Sequence, residues 1–386
     1  MASIKLKGDT SGEVTIQAPA VAGTTTLNLP ATSSTLATQN ALGVRNLIIN
    51  GDMRIDQRGS ASTPVTNNYC VDRFKVEENS NGAFTGEQST DVPTGEGFEY
   101  SLKATVTSTD TDLATTQFAR IFQVIEGKNI PHLMWGTSNA KTITVSFWVK
   151  ASVSGTYNFN LQNDDNNRTY MVEYTIDSSN TWEKKTITIT GETTGVWKTD
   201  NDRGIRVFWS LGTGTTYQTT TGWQIGNYVG TASGTNLLAT SGATFYITGI
   251  QLEVGTEATP FEHRPYDMEL ARCQRYYEHN YNIGQTPGSS SSYPANMGSW
   301  INGFGTQNGQ KGFTSEYKVT KRATPSVTFY DTSGNSGRVS YLDAGGTTFN
   351  NQTIAIVFTG TSAILGTMAN GTQTGIHYFW VADSEL

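Results

Sequence analysis

The stretch KTITVSFWVKA, residues 141–151, decides the fold class. Ile143, Val145, Phe147 and Val149 fall on one side of an extended chain, and Thr142, Thr144, Ser146 and Trp148 on the other. A period of two is the pattern of a strand with one buried face. Between residues 46 and 253 the alternation recurs in NLIINGDMRI, VDRFKVEE, FEYSLKATV, QFARIFQVIEG, TYNFNLQN, TYMVEYTI, WEKKTITIT, GIRVFWSL and ATFYITGIQLEV, separated by Gly, Asn and Asp turns. About ten short strands with no long helix between them predict an all-β chain built around a two-sheet jelly-roll sandwich.

Composition agrees. Only 15% of the 386 residues are charged, 40 are glycine, and Thr, Ser and Asn fill most other polar positions, which suits strands and tight turns better than solvated helices. The net charge of −7 and the lack of long Lys/Arg runs argue against a nucleic-acid partner. No apolar leader and no apolar run of about 18 residues is present, so the expectation is a soluble protein made in a cytoplasm, without membrane insertion. Cys70 and Cys273 fall in different expected elements and are read as free thiols.

Four regions follow. Residues 1–43 carry strand-like pieces such as EVTIQAP and TTTLNLP but too few apolar residues for a core, so they read as a linker or as an arm ordered by sister chains or a docking partner. Residues 44–264 form the sandwich. Residues 265–296 hold a helix of about three turns over 267–279, started by Pro265 and a capping Asp267 with an apolar stripe of Met268, Leu270, Ala271, Cys273 and Tyr277, and then the loop GQTPGSSSSYPANMGS. Residues 297–386 form a small, aromatic β-domain, a second sandwich expected to complete its core by oligomerising.

Several stretches together resemble tail-fibre and related virion-surface proteins of tailed bacteriophages: GEVTIQAPAVAGTTTLNLP, NLIINGDMRIDQRG, YCVDRFKV, TITVSFWVKASVSGTYNF, TWEKKTITITGETTGVW, GIQLEVGTEATPFEHRPYDMELARCQRYYEH, RATPSVTFYD and YFWVADSEL. The resemblance implies a homotrimeric fibre located on the virion. It implies an attachment arm over 1–43 that docks on tail or capsid proteins, a carbohydrate-binding-like jelly roll, and a C-terminal β-domain. YITGIQLEVG would be the last jelly-roll strand, closing against NLIINGDM, and 265–279 would be a hinge. A head fibre or capsid decoration protein shares these modules. The implied ligand is host polysaccharide or lipopolysaccharide. No cofactor is expected, although modules of this kind often hold a calcium ion between first and last strands, for which Asp52 and Glu253 would be the ligands here. The last strand carries Thr248 and Gly249 where such modules usually carry Asp, which removes one oxygen donor, and a structural Asp turn is the competing reading.

A sugar site needs exposed aromatic faces beside amides and hydroxyls. Trp197, Tyr217, Trp223 and Tyr228 lie in loop-rich sequence of that kind, and Tyr293 and Trp300 border the Ser-rich loop; core or interface roles compete at each position. Trp148 stands on the polar side of its strand. His263 and His279 lack metal-ligand spacing. The pairs Glu77–Glu78 and Asp164–Asp165 are strand or turn neighbours rather than carboxyls facing each other across a cleft, and no nucleophile elbow or HExxH motif occurs. The expectation is a non-enzyme, with a polysaccharide depolymerase as the weaker alternative.

Overall fold

The computed structural model describes residues 3–7, 13–17, 45–61, 64–282, 284–290, 310–342, 345, 347–369 and 375–386. The chain divides into two compact units, Met1–Gly43 and Val44–Leu386. In the first, β1 (Ser3–Lys7) pairs antiparallel with β2 (Glu13–Gln17), placing Ile4 opposite Ile16 and Leu6 opposite Val14. A lone two-stranded hairpin is marginal in water. The rest of the expected arm lies outside the described residues.

The second unit opens with a sandwich of twelve strands: β3 (Tyr69–Val71), β4 (Phe74–Asn79), β5 (Ala83–Ser89), β6 (Ser101–Ser108), β7 (Phe118–Glu126), β8 (Ile143–Ala151), β9 (Gly155–Gln162), β10 (Arg168–Ile176), β11 (Glu183–Ile189), β12 (Arg203–Thr213), β13 (Gly222–Ile225) and β14 (Thr244–Val254). One sheet has the order β13-β10-β9-β12-β7-β4-β3 and the other β11-β8-β14-β6-β5, all pairs antiparallel. The alternation in β8 does what its sequence asks: Ile143, Val145, Phe147 and Val149 are fully buried. Phe147 meets Phe159, Tyr174 and Trp209 of the facing sheet, with ring centroids 6.2, 5.3 and 5.6 Å away. Cys70 and Cys273 are both free and buried.

The stretch expected as a first strand, NLIINGDMRI, is not one. It turns at 49–52, with Asn50 and Met53 at positive φ. Asn50 closes the turn with its own amide, accepting from Ile55 N at 2.9 Å and donating to Ile55 O and Asp72 O at 2.9 Å each. A side chain that competes for backbone partners breaks a ladder. Contact with β14 survives as two backbone bonds, Leu47 N to Leu252 O and Ile250 N to Gly51 O, each 2.9 Å, and two bonds of the Asn46 amide to Ile250 O and Leu252 N, each 3.0 Å.

The helix is shorter than expected. α1 spans Tyr266–Gln274, and Tyr277–His279 instead forms strand β15. Pro265 occupies the N-cap, so no side-chain cap forms, while Asp267 and Glu269 sit in the first turn, where the helix dipole favours acids. The buried face is Glu269, Cys273 and Gln274, and Met268 is left 43% exposed. Glu269 is buried because it accepts from Arg264 Nη1 (3.1 Å) and from the backbone N of Asn50.

The segment expected as a hinge packs against the sandwich. Glu126 of β7, 1% exposed, takes a bidentate Arg275 guanidinium at 2.7 and 2.6 Å and the Tyr276 hydroxyl at 2.8 Å. Cys273 and Tyr276 share a small core with Ile49 and Ile55.

The C-terminal block comprises β16 (Gln310–Glu316), β17 (Ser326–Tyr330), β18 (Arg338–Leu342), β19 (Thr348–Thr353), β20 (Ala355–Thr359), β21 (Ala363–Ala369), β22 (Gly375–His377) and β23 (Phe379–Asp383). With β15 these make three small sheets, β15-β23-β17, β16-β21-β20 and β19-β18-β22. Phe313, Phe329, Val339, Ile364, Tyr378 and Trp380 bury one another. Aromatic residues bring much area per position, and this cluster forms within one protomer.

Candidate glycan-binding faces of the sandwich

Each sheet has an outer face, and strand register places its side chains in rows. On the seven-stranded sheet one row runs Glu77, Arg120, Ser210, Asn158, Glu173; the next runs Lys75, Phe122, Phe208, Asn160, Met171; a third runs Val124, Arg206, Gln162, Thr169, Gln224. Asn158, Asn160 and Gln162 form an amide ladder suited to sugar hydroxyls, but the chain itself fills it. Asn158 exchanges bonds with Thr231 at 3.0 and 3.1 Å, Asn160 Nδ2 donates to Val229 O at 2.9 Å, and Gln162 Nε2 donates to Asn227 Oδ1 at 2.8 Å. The loop over 226–231 therefore occupies this half of the face.

Two of the aromatics singled out in the sequence border that loop. Tyr217 lies edge-on to Phe118 at 5.7 Å and packs on the cluster of Phe122, Phe208 and Val229; Tyr228 is half-buried. The tryptophans go elsewhere. Trp197, 8% exposed, joins Trp135 and Trp223 in a mutually edge-on trio with centroids 4.7, 5.5 and 5.8 Å apart, and Trp223 Nε1 donates to Thr190 O at 3.0 Å. Trp197 thus belongs to the core instead of forming an exposed platform. Tyr293 and Trp300 lie outside the described residues.

The five-stranded sheet offers an aromatic strip of which sequence reasoning found only Trp148. Lys150, Tyr246, Lys103 and Glu87 are paired in one row, and Trp148 lies between Thr248 and Lys184 in the next. Trp182, just before β11, meets Tyr246 edge-on at 6.1 Å, and the Lys150 ammonium lies 4.4 Å from the Tyr246 ring and 5.3 Å from that of Trp182. Asp91 accepts from Trp182 Nε1 at 3.0 Å and from Lys150 Nζ. Trp148, Trp182 and Tyr246 are all partly exposed. Burial opposes ionisation of Asp91, yet the bonds from Lys150 and Trp182 hold its carboxyl below the usual range; the bond to Glu87 raises Lys103. The strip carries charges already fixed in place beside apolar rings, a combination able to stack a sugar face and hydrogen-bond its hydroxyls. The signal available in the sequence was an aromatic at the polar phase of a strand, true of Trp148 in β8 and of Tyr246 between Phe245 and Ile247.

The implied calcium ligands do not fit a hard cation. Asp52 Oδ2 lies 3.1 Å from Arg54 Nε, and Glu253 accepts from Gln251 Nε2, Thr259 N and Thr259 Oγ1 at 2.7, 2.9 and 2.7 Å. Among the described residues no group of three or more His, Cys, Asp or Glu gathers as a metal site. Glu77 pairs with Arg120 and Asp164 with Arg203.

The histidines flanking the helix are packed. His263 lies against Phe98 and Phe261 at 5.6 and 4.9 Å. His279, 5% exposed, donates from Nε2 to Gln57 O at 3.0 Å and accepts Tyr281 N on Nδ1 at 3.1 Å. Burial pushes its imidazole from the ordinary 6.5 down to about 4. The unfolded chain binds the proton first on acidification, so this contribution to stability is present above pH 6.5 and is lost as the pH falls towards 4, by up to about 3 kcal/mol. Denaturation of the native chain and His279→Gln across that window should show a shallower acid loss in the variant. Asp72, whose carboxyl burial lifts to about 7 against Arg58, acts in the opposite direction in both proteins and drops out of the difference.

No family model matches the chain, and no curated protein matches it. Solved structures similar to it include the enzymatically active domain of tailspike protein 4 of bacteriophage CBA120 (11% identity, 54% of this chain and 21% of that chain, TM-score 0.30). They also include a CBM4 structure (18% identity, 51% of this chain and 98% of that chain, TM-score 0.28). A third is the family 11 carbohydrate-binding module of the cellulase Lic26A-Cel5E of Clostridium thermocellum (9% identity, 51% of this chain and 96% of that chain, TM-score 0.27). This chain therefore spans about a fifth of the tailspike domain's length.

Proposed function

We propose that this chain is a non-enzymatic fibre protein of a phage virion that recognises host-surface glycans through the outer face of its five-stranded sheet. The observation that carries the glycan reading is the Trp148–Tyr246–Trp182 strip, partly exposed and framed by Lys150, Lys103, Glu87 and Asp91. The fibre reading rests on the sequence resemblance, with residues 1–43 as the virion-attachment arm and a homotrimer as the working assembly. Strand β20, at the edge of its sheet, exposes Ile356 (44%) and Phe358 (61%), an apolar edge that a sister chain would cover. Three copies raise avidity by roughly 10² to 10⁴ over one site, so individually weak sugar contacts suffice.

The test is calorimetric titration of host polysaccharide fragments into the native chain and the double variant Trp182→Ala/Tyr246→Ala. Loss of two stacking surfaces at roughly 1–2 kcal/mol each should weaken binding about 30-fold or more. Unchanged binding by a folded double variant sinks the assignment of this face. A monomer in light scattering sinks the trimer.

A further inference from the structure

Arg206 stands on the seven-stranded sheet's outer face, between Val124 of β7 and Gln162 of β9. Its neighbours already have their counter-ions. Arg120 holds Glu77 through Nε and Nη2 at 2.8 and 2.6 Å, and Arg203 Nε meets Asp164 Oδ1 at 2.6 Å, where Lys198 also binds. Among the described residues no carboxylate comes within ion-pair distance of Arg206. Its Nη1 donates a long 3.3 Å bond to the neutral Gln162 Oε1, and its buried Nε has no partner. The guanidinium is half-buried yet reaches the surface, 5.7 Å from the Phe122 ring.

A partly buried cation without a counter-ion is a costly arrangement. Burial first, and then the positive charges of Arg120 and Arg203, hold the Arg206 guanidinium down to about 10 from the usual 12.5. Glu77 and Asp164 are taken by Arg120, Arg203 and Lys198, which leaves Arg206 without a carboxylate, and the donors it has to spare are the terminal nitrogens of its planar fork. That fork matches a carboxylate in bidentate geometry.

We propose that Arg206 anchors a second saccharide site, on the opposite sheet from the aromatic strip, that takes the carboxylate of an acidic sugar. The choice of a sugar carboxylate rests on the glycan reading given above; the anion site itself does not, and its residues are separate from the strip.

The probes are sodium glucuronate, glucose and inorganic sulfate, titrated at low salt into the full chain and into Arg206→Gln, Arg206→Lys and Trp182→Ala/Tyr246→Ala. Glucuronate should bind the native chain and shift the Arg206 Nε–H resonance, which glucose should not do. Arg206→Gln should weaken glucuronate about 10-fold or more, consistent with loss of a charge-assisted bond. Arg206→Lys should recover part of that, and the aromatic double variant should bind glucuronate as the native chain does. If glucuronate leaves the Arg206 resonance unmoved, or binds no better than glucose, the site is overturned; the resonance is read on the native chain and so survives any folding failure of a variant. If sulfate binds as tightly as glucuronate, the sugar assignment is overturned. Failure of the aromatic strip with Arg206 intact would leave glucuronate binding in place, so the two readings fail separately.

Discussion

Replacing Glu385 with alanine is expected to destabilise the protein by about 3–5 kcal/mol, seen as a lowered denaturant midpoint at unchanged slope. Arg73 is 1% exposed and its carboxylate partner is Glu385, itself 5% exposed. The other contacts of that guanidinium are Val124 O and the face of Tyr276, whose ring centre is 3.5 Å away. Arginine does not shed its proton in a protein, so removal of Glu385 leaves a full buried charge with only dipoles and a ring to hold it. Arg58, which also reaches Glu385 at 3.2 Å, keeps Asp72 at 3.5 Å, which concentrates the loss on Arg73. The double variant Arg73→Met/Glu385→Leu removes both charges and should recover most of the stability. A loss under about 1 kcal/mol for Glu385→Ala would show that water reaches Arg73.

Glu278→Ala should cost less at high pH and more at low pH. Lys321 and Glu278 are both fully buried and paired, and the Lys321 ammonium also donates to Gln274 O. Burial already pulls the Lys321 amine below its ordinary range even with the carboxylate present. Without Glu278 the folded state favours neutral lysine while the unfolded chain stays protonated up to about 10.4. The unfolded state then binds more protons over the whole interval, so stability of the variant rises with pH by up to about 1.4 kcal/mol per unit, a slope the native chain lacks to that degree. At pH 7 a loss of about 3 kcal/mol is expected. A pH-independent loss would mean that lysine stays charged by recruiting water. The contrast with Glu385 is chemical: one buried cation has a neutral form available and the other does not.

The first of these pairs also ties the sandwich to the C-terminal block. Glu385 follows β23 yet pairs with Arg73 beside β4, and Arg322 donates to Asn201 O at 2.8 Å and to Ser384 O at 2.8 Å. Those partners are more than 60 residues apart in sequence. Nothing in the local composition of EATPFEHRPYDMELARCQRYYEH marks them, so the segment reads as a connector. The helix was legible from its spacing; its end was not, because Tyr277–His279 is drawn into a ladder by Val381–Asp383, a tertiary override of local propensity.

Local alternation by itself determined that the chain is all-β and which residues of each strand face the core, because side chains on an extended backbone switch sides at every step whatever lies around them. Only the tertiary structure decided which outward-facing groups stay free. Asn158, Asn160 and Gln162 share the outer face of β9 and are taken by the chain's own 226–231 loop. Trp197 reads as a loop aromatic and is enclosed by Trp135 and Trp223. Trp182, unremarkable in sequence, stands partly exposed beside Tyr246 and Lys150. Covering or leaving open a sheet face depends on where distant loops come to rest, and that is settled by long-range packing, which no local period encodes.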